Sequence, residues 1–415
     1  MVNFIILWKG GILVMDVVGI DVSMGKSEVV IYQNNTLLKA FNMIHSKIGF
    51  DHLLVELKKL TNPHVYFEAT GVYSRPFVSF CEINSITYTM LNPLELHYRT
   101  STIRRLKNDR TDANRIAQFG VDFPQSETKS FPDPYCNIRE LSRFINQIGS
   151  DIKLKRMKLH VAVQQSFSEL EKLFANSVSK LALNIIQLFP HPELVSKYDK
   201  SDLIQLLMSQ TDKCISRKKS EKYARQLMTY AAQSYPSVSC NSIQTEEVRY
   251  YAEELKKLII KKEQLVKQII QLSEGLPEFH ILTSMPGIGP QSAAEIIGEL
   301  GDIRRFSNSK KLNAYVGIDL NQYQSGTYTA PDHINKRGNS HARAILYFTV
   351  RNMIRQQASA PNHIVDYYYR LKKGPHPKRD KVATVACMNK LLKCLIAMVK
   401  ANQEYAYAYH GLEAQ

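Results

Sequence analysis

Twice in the first seventy residues a short apolar run of β-branched character closes on an acid. Val17-Val18-Gly19-Ile20-Asp21-Val22-Ser23 does so, and His64-Val65-Tyr66-Phe67-Glu68-Ala69-Thr70-Gly71 repeats the pattern ahead of a glycine turn. Burying a strand that ends in a carboxylate is costly unless the charge is hydrogen-bonded, paired or bound to a metal. Ser27-Glu28-Val29-Val30-Ile31-Tyr32 reads as a second strand, paired with the first through Met24-Gly25-Lys26. Residues 49–60 have the spacing of an amphipathic helix, and residues 86–91 form another strand stopped by Asn92-Pro93. The alternation predicts an α/β domain, in which sites gather at the carboxyl ends of strands.

The next informative stretch is Lys107-Asn108-Asp109-Arg110-Thr111-Asp112-Ala113-Asn114-Arg115-Ile116-Ala117. Its acids are three apart on a helical pattern, so both carboxylates can point to one place. Lys107, Arg110 and Arg115 could neutralise them on a solvated helix face, which is the plainer explanation for this stretch alone. A divalent ion is the other solution, and it needs more acids. Asp21 and Glu68 supply them. Four carboxylates in an α/β setting would bind one or two Mg²⁺ ions, two being the expected number, and metal ions of this kind assist phosphodiester chemistry.

After about residue 137 the pattern turns helical. Leu141, Phe144, Ile145, Ile148 and Ile152 mark one face of a long helix that runs on through Phe167, Leu170 and Phe174. Residues 180–240 are mixed, helical and without readable chemistry. Val248, Tyr251, Leu255, Leu258, Lys262, Leu265, Ile269 and Leu272 then alternate spacings of three and four. This is a heptad seam of about four repeats with one polar position. It fits a hairpin with the 141–174 helix or a dimer contact; a dimerisation or spacing element is favoured.

The last third carries the charge. Residues 304–381 hold 15 Lys and Arg against 4 Asp, a net +11 of the chain's +16. Such a surface attracts polyanions, nucleic acid foremost. Thr283-Ser284-Met285-Pro286-Gly287-Ile288-Gly289-Pro290 is a Gly-apolar-Gly turn followed by a helix over 291–300. It is similar to a helix-hairpin-helix, whose backbone N–H groups take a phosphate oxygen without reading sequence; a packing turn is the plainer alternative. Tyr323-Gln324-Ser325-Gly326-Thr327-Tyr328 reads as a hairpin or exposed turn. A Ser before Gly is usually turn chemistry. Here Lys336, Arg337 and Arg343 follow closely, a cationic setting suited to a phosphate and to an alkoxide nucleophile. His341 is a base, a helix-start residue or a phosphate contact. Residues 372–381 form another basic loop with an apolar packing helix, 382–399, behind it.

Six scattered cysteines without a C-x-x-C pair indicate reduced thiols, with neither a disulfide framework nor a zinc site. Cys387 and Cys394 are expected to be buried on one helical stripe. MVNFIILWKGGILV is interrupted by Lys9-Gly10-Gly11 and lacks a cleavage site, so it is not read as a signal peptide. Lys-Gly-Gly fits a purine-rich ribosome-binding site, and translation is expected to start at Met15; intact mass decides it. No later stretch is expected to be long enough to span a membrane.

These motifs resemble the bacterial insertion-sequence transposases with a RuvC-like DEDD domain, the family numbered one-hundred-and-ten, related to the Piv-type DNA invertases. The likeness rests on Gly19-Ile20-Asp21, Phe67-Glu68-Ala69-Thr70-Gly71-Val72-Tyr73 and Lys107-Asn108-Asp109-Arg110-Thr111-Asp112-Ala113. In the last third it rests on Pro286-Gly287-Ile288-Gly289, Ala314-Tyr315-Val316-Gly317, Gln324-Ser325-Gly326 and Lys336-Arg337-Gly338-Asn339. The resemblance implies three domains. These are an RNase H-like (RuvC-like) catalytic domain at 15–135, a helical coiled-coil region at 136–275, and a mainly α C-terminal transposase domain at 276–415. It implies that Asp21, Glu68, Asp109 and Asp112 are catalytic Mg²⁺ ligands. Ser325 would be a nucleophile that forms a phosphoserine link to DNA, and Gly287, Gly289, Lys336, Arg337 and Arg343 would contact nucleic acid. Acids of one subunit and serine of another would share a composite site in a dimer or tetramer. Partners would be the element ends, a target site and a structured non-coding guide RNA, in the bacterial cytoplasm. Two other readings stay open: a metal-only nuclease of the junction-resolvase type, and a non-catalytic nucleic-acid-binding protein.

Overall fold

The computed structural model describes residues 16–100, 108–128, 133–176, 178–209, 215–321, 324–325, 328–329 and 333–407. The expected start at Met15, with Lys107 and Cys214, lies outside the described residues. The chain divides into two compact units, Met1–Ser130 and Phe131–Gln415.

In the first unit β1 (Asp16–Val22) and β2 (Lys26–Gln33) pair antiparallel through a turn in which Gly25 takes a φ of 78°. β3 (Thr36–Ile44) continues the meander through Asn34 and Asn35, both left-handed at φ 50° and 62°, the conformation a tight hairpin turn needs and asparagine tolerates. No strand is predicted over these residues from the sequence. β3 is an edge strand, and Leu37, Leu38 and Ile44 on it are exposed, so no buried alternation marks it.

α1 (Lys47–Lys58), β4 (Pro63–Glu68), α2 (Arg75–Ile83), β5 (Thr87–Leu91), α3 (Pro93–Thr100) and α4 (Asp109–Asp122) complete the unit. β4 and β5 add in parallel, giving a sheet of order β3-β2-β1-β4-β5. Successive strand residues face opposite ways. Val18, Ile20, Val29, Ile31 and Phe67 pack on one side with Leu53 and Leu57 of α1 and Phe77 and Cys81 of α2. Val17, Val30 and Tyr66 pack on the other with Leu96 of α3 and Ala113, Ile116 and Ala117 of α4.

The second unit is helical, built on α5 (Asp133–Ser166) and α10 (Ile243–Glu274). At about 1.5 Å per residue each is roughly 50 Å long. They run antiparallel. Val248, Ala252 and Leu255 of α10 share a core with Leu159, Ala162 and Val163 of α5, while Leu265 and Ile269 share another with Ile145 and Ile148. Of the two alternatives the structure takes the hairpin: Val248, Leu255, Leu265 and Ile269 are buried in cores shared with α5, while Leu272 at the end of the seam is exposed. Lys262, the polar position, sits over the bare surface of Gly149 on α5. α5 also ends earlier than expected: Phe167 leaves the helix and starts a 3-10 turn, Ser168–Leu173.

α6 (Lys180–Leu188), α7 (Pro192–Val195), α8 (Lys200–Ser209) and α9 (Arg217–Gln233) close one end of the hairpin around Leu183, Ile186, Leu203 and Leu227. Here Cys240 comes close to His191 and Glu193, with ligand atoms within 4.8 Å of one another; His191 Nδ1 already caps Glu193 N at 3.4 Å.

At the other end lie α11 (Pro277–Thr283), α12 (Pro290–Leu300), α13 (Ser309–Val316), α14 (Ser340–Arg355), α15 (His363–Lys373) and α16 (Asp380–Ala401). α12 packs on α5 through Gly298, where an added Cβ would lie 2.9 Å from Arg139 N. α16 is long and apolar enough to cross a membrane, which corrects the expectation that no such stretch exists. Its Ala383, Cys387, Leu391, Leu392 and Leu395 lie in the core with α12 and α14. The five described cysteines are free.

Candidate active site

α4 starts where it does because Asn108 caps it. Asn108 Oδ1 accepts from Thr111 N at 2.8 Å, and Thr111 Oγ1 accepts from Asn108 N at 3.1 Å. Both Asp109 and Asp112 therefore stand in the first turn, where a helix dipole favours negative charge.

A glycine fixes where that turn sits on the sheet. A Cβ on Gly19 would lie 2.4 Å from Ala117 N and 2.6 Å from Ala113 O, so the α4 backbone rests directly on β1. Gly120 lies farther back: its Cβ would meet Val17 Cγ1 at 2.8 Å and Tyr66 Cδ2 at 2.9 Å. The helix thus runs against the direction of β1, with its N-terminus over the carboxyl end of the strand. Asp21 faces α4, two residues beyond Gly19. Glu68 is one residue past the Ile20–Phe67 pair on the neighbouring strand, on the same side.

The four predicted acids are gathered at one end of one face. Their charges register on each other. Burial first, then the carboxylates of Asp112, Asp109, Glu68 and Glu28, push Asp21 from an ordinary 3.8 up to about 6. Burial, then Asp112, raises Glu68 as well. Asp109 reaches Lys26 Nζ at 3.5 Å in an exposed pair, and Asp112 Oδ1 accepts from Arg115 Nη1 at 3.0 Å. The solvated-helix account thus holds for two of the acids. It does not reach Asp21 or Glu68, whose side chains have no hydrogen bond or ion pair among the described residues.

The donors fit a hard divalent cation in kind: all are carboxylate oxygens, and no buried Lys or Arg stands among them in the described residues. Thr70, two residues past Glu68, keeps a buried Oγ1 without a partner. The acids stand at Coulombic range rather than in contact. Among the described residues, His191, Glu193 and Cys240 are the one group of three potential ligands within 4.8 Å of one another. From the sequence Glu28 is a strand residue with no role at the site. Its signal was an acid opening an otherwise apolar run.

The remaining predicted residues belong to the second unit. Gln324–Ser325 (β6) pairs antiparallel with Tyr328–Thr329 (β7), the expected hairpin; the side chain of Ser325 lies outside the description. Gly287 sits in the α11–α12 turn at φ 91°, and a Cβ there would meet Met353 Cγ at 2.5 Å, so packing alone accounts for the glycine. Gly289 caps α12 with open space beside it.

Lys336 and Arg337 are exposed, and Lys336 holds a left-handed φ of 60° with its N–H donated to Gly317 O at 3.0 Å. Gly338 lies against Tyr315 O and Gly317 N with no room for a side chain. Arg343 is partly spent on structure, its Nη1 donating to Val316 O at 2.8 Å. Asn339 caps α14, and His341 follows in its first turn, exposed, as a helix-start residue.

Residues 18–168 match a family model for a transposase of the DEDD type found in IS110 elements. Residues 279–364 match a second, described as the transposase IS116/IS110/IS902 family. A probable family 20 transposase of Pseudomonas aeruginosa is 28% identical over 161 residues, 39% of this chain and 46% of the relative. The transposase for insertion sequence element IS1111A of Coxiella burnetii is 35% identical over 72 residues, 17% of this chain and 20% of the relative. The pilin gene-inverting protein of Moraxella bovis is 24% identical over 211 residues, 46% of this chain and 58% of the relative. In each case the match spans less than two thirds of the relative's length.

Proposed function

The chain belongs to the IS116/IS110/IS902 family of transposases, and from that premise we propose that it cuts and rejoins DNA as the transposase of an insertion sequence. One observation carries the reading: four acids from two parallel strands and one helix N-terminus converge on one end of the sheet, close enough for their charges to act on one another.

Asp21, Glu68, Asp109 and Asp112 hold Mg²⁺, expected as two ions. Bound there, the metal would polarise a phosphodiester and stabilise the charge that develops on its oxygens. Asp21 and Glu68 are fixed by strand register and the other two by a capped first turn. The backbone positions of the four acids are thus set before any ligand arrives.

Ser325 is the proposed nucleophile. Its Oγ bonds to phosphorus while a sugar oxygen leaves and takes up a proton. A phosphoserine link forms and a free DNA hydroxyl is released. A DNA hydroxyl later displaces the serine, restoring the side chain and rejoining the strand. Lys336 and Arg337 are exposed beside this hairpin in sequence and would meet phosphates, with Gly287, Gly289 and Arg343 as further contacts. A structured RNA of the element would select donor and target DNA by base pairing, and the protein would act in the cytoplasm as a dimer or tetramer.

The test is amplification of excised-circle junctions in cells carrying the element with its flanks, at matched protein levels. Wild type yields junctions; Asp112→Asn and Ser325→Ala yield none. Junctions from Ser325→Ala would reduce the site to metal-only chemistry, and junctions from Asp112→Asn would remove the carboxylates from it.

A further inference from the structure

Asp21 is not alone on its row of the sheet. It pairs directly with Glu28 across β1 and β2, while Glu68 flanks it on β4. Residues opposite each other on antiparallel strands share a face, with Cβ atoms about 4.5–5.5 Å apart. Val30 and Tyr32, two and four residues on from Glu28, lie in the cluster beneath α4 with Val17, Tyr66 and Ala117. Alternation therefore puts Glu28 on the α4 side too. Three adjacent strands present three carboxylates in one line, under a helix turn that adds two more.

Glu28 is only 6% exposed. No hydrogen bond or ion pair reaches it among the described residues. Buried acids elsewhere in this unit are compensated: Asp16, at the opposite end of β1, accepts from Thr61 N at 2.8 Å and Asn62 N at 3.4 Å. Like charges opposite each other on neighbouring strands are destabilising. A cation shared with Asp21 removes that penalty.

We propose that Glu28 is a fifth carboxylate of the cation site, binding the same divalent ion as Asp21. This rests on reading the four acids as that site. Lying on the β2 side of Asp21, away from Glu68, Glu28 sets how far toward the sheet edge the ion is held.

Calorimetric titration of the full chain with Mn²⁺ tests it, alongside melting in chelator. Wild type binds Mn²⁺ and Asp21→Asn does not. Glu28→Gln binds about tenfold or more weakly, the range seen when supporting acids of a metal site are removed. It also melts at or above the wild-type temperature without metal, because a repulsion has gone. Wild-type affinity in Glu28→Gln would overturn the proposal while leaving the four acids in place. No binding by wild type would overturn both. Should Glu28→Gln fail to fold, Glu28→Asp keeps the charge but withdraws it by one methylene, and the same affinity comparison decides.

Discussion

Two regions of the molecule bury carboxylates and treat them in opposite ways. In the helical unit Glu299 and Glu278 are fully buried, and each is answered. Arg143 forks onto Glu299 at 2.8 and 3.0 Å, and Asn339 Nδ2 donates to it at 2.8 Å. Burial alone would raise Glu299, but these donors hold it below the ordinary carboxylate range. Glu278 receives Arg304 Nη1 at 3.0 Å and the Tyr135 hydroxyl. In the sheet unit Asp21, Glu28 and Glu68 sit among each other, and Asp21 and Glu68 are driven upward. The first arrangement is complete within the chain and serves cohesion, tying α5, α12 and the loop before α14. The second has no such answering donors on Asp21 and Glu68 among the described residues, and their charges act on one another.

The largest expected effect lies on the answered side. Arg143→Ala strands a fully buried Glu299 with one amide donor and should cost about 3 kcal/mol, read from thermal and urea unfolding. A loss below about 1 kcal/mol would mean that Glu299 needs its arginine no more than the sheet-end acids do, and the contrast would fail.

Gly19→Ala sharpens the other side. The new methyl meets α4 backbone rather than a yielding side chain, so the helix has to shift. About 1–3 kcal/mol of stability should go with it, together with the junction product. Normal junction yield would show that the acids tolerate displacement of α4.

The smallest effect is a gain. Asp21 is raised from 3.8 to about 6, so between those pH values the folded chain keeps a proton the unfolded chain has released. Stability without metal therefore falls as pH rises from about 4 to 6 and is level above. The drop is about 1 kcal/mol once solvent screening of this half-buried group is counted. Asp21→Asn should flatten that segment in melts run in chelator from pH 4 to 7, and sit above wild type at pH 7. An unchanged slope would mean that Asp21 is compensated after all.

The acids at the ends of β1 and β4 were legible because the cost of burying charge shows in residue order, and Asp109 and Asp112 because helical spacing does. Glu28 was not, since its place beside Asp21 depends on strand register, which no local pattern records. β3 lacks a buried alternation to announce it. The heptads of α10 showed that a partner helix was needed but not which one, and α5 in the same chain supplied it. Arg343 counted as surface charge until the fold turned one of its donors onto the Val316 carbonyl.

Chain order gives the contact between Gly19 and α4 a further meaning. α4 is the last element of the sheet unit to be made, and it brings Asp109 and Asp112 together. A nascent chain that has emerged only as far as β5 carries Asp21 and Glu68 on paired strands but half the carboxylate set. Ser325 emerges some two hundred residues later. Under the proposed function, a chain released before residue 325 would hold the four acids without the proposed nucleophile.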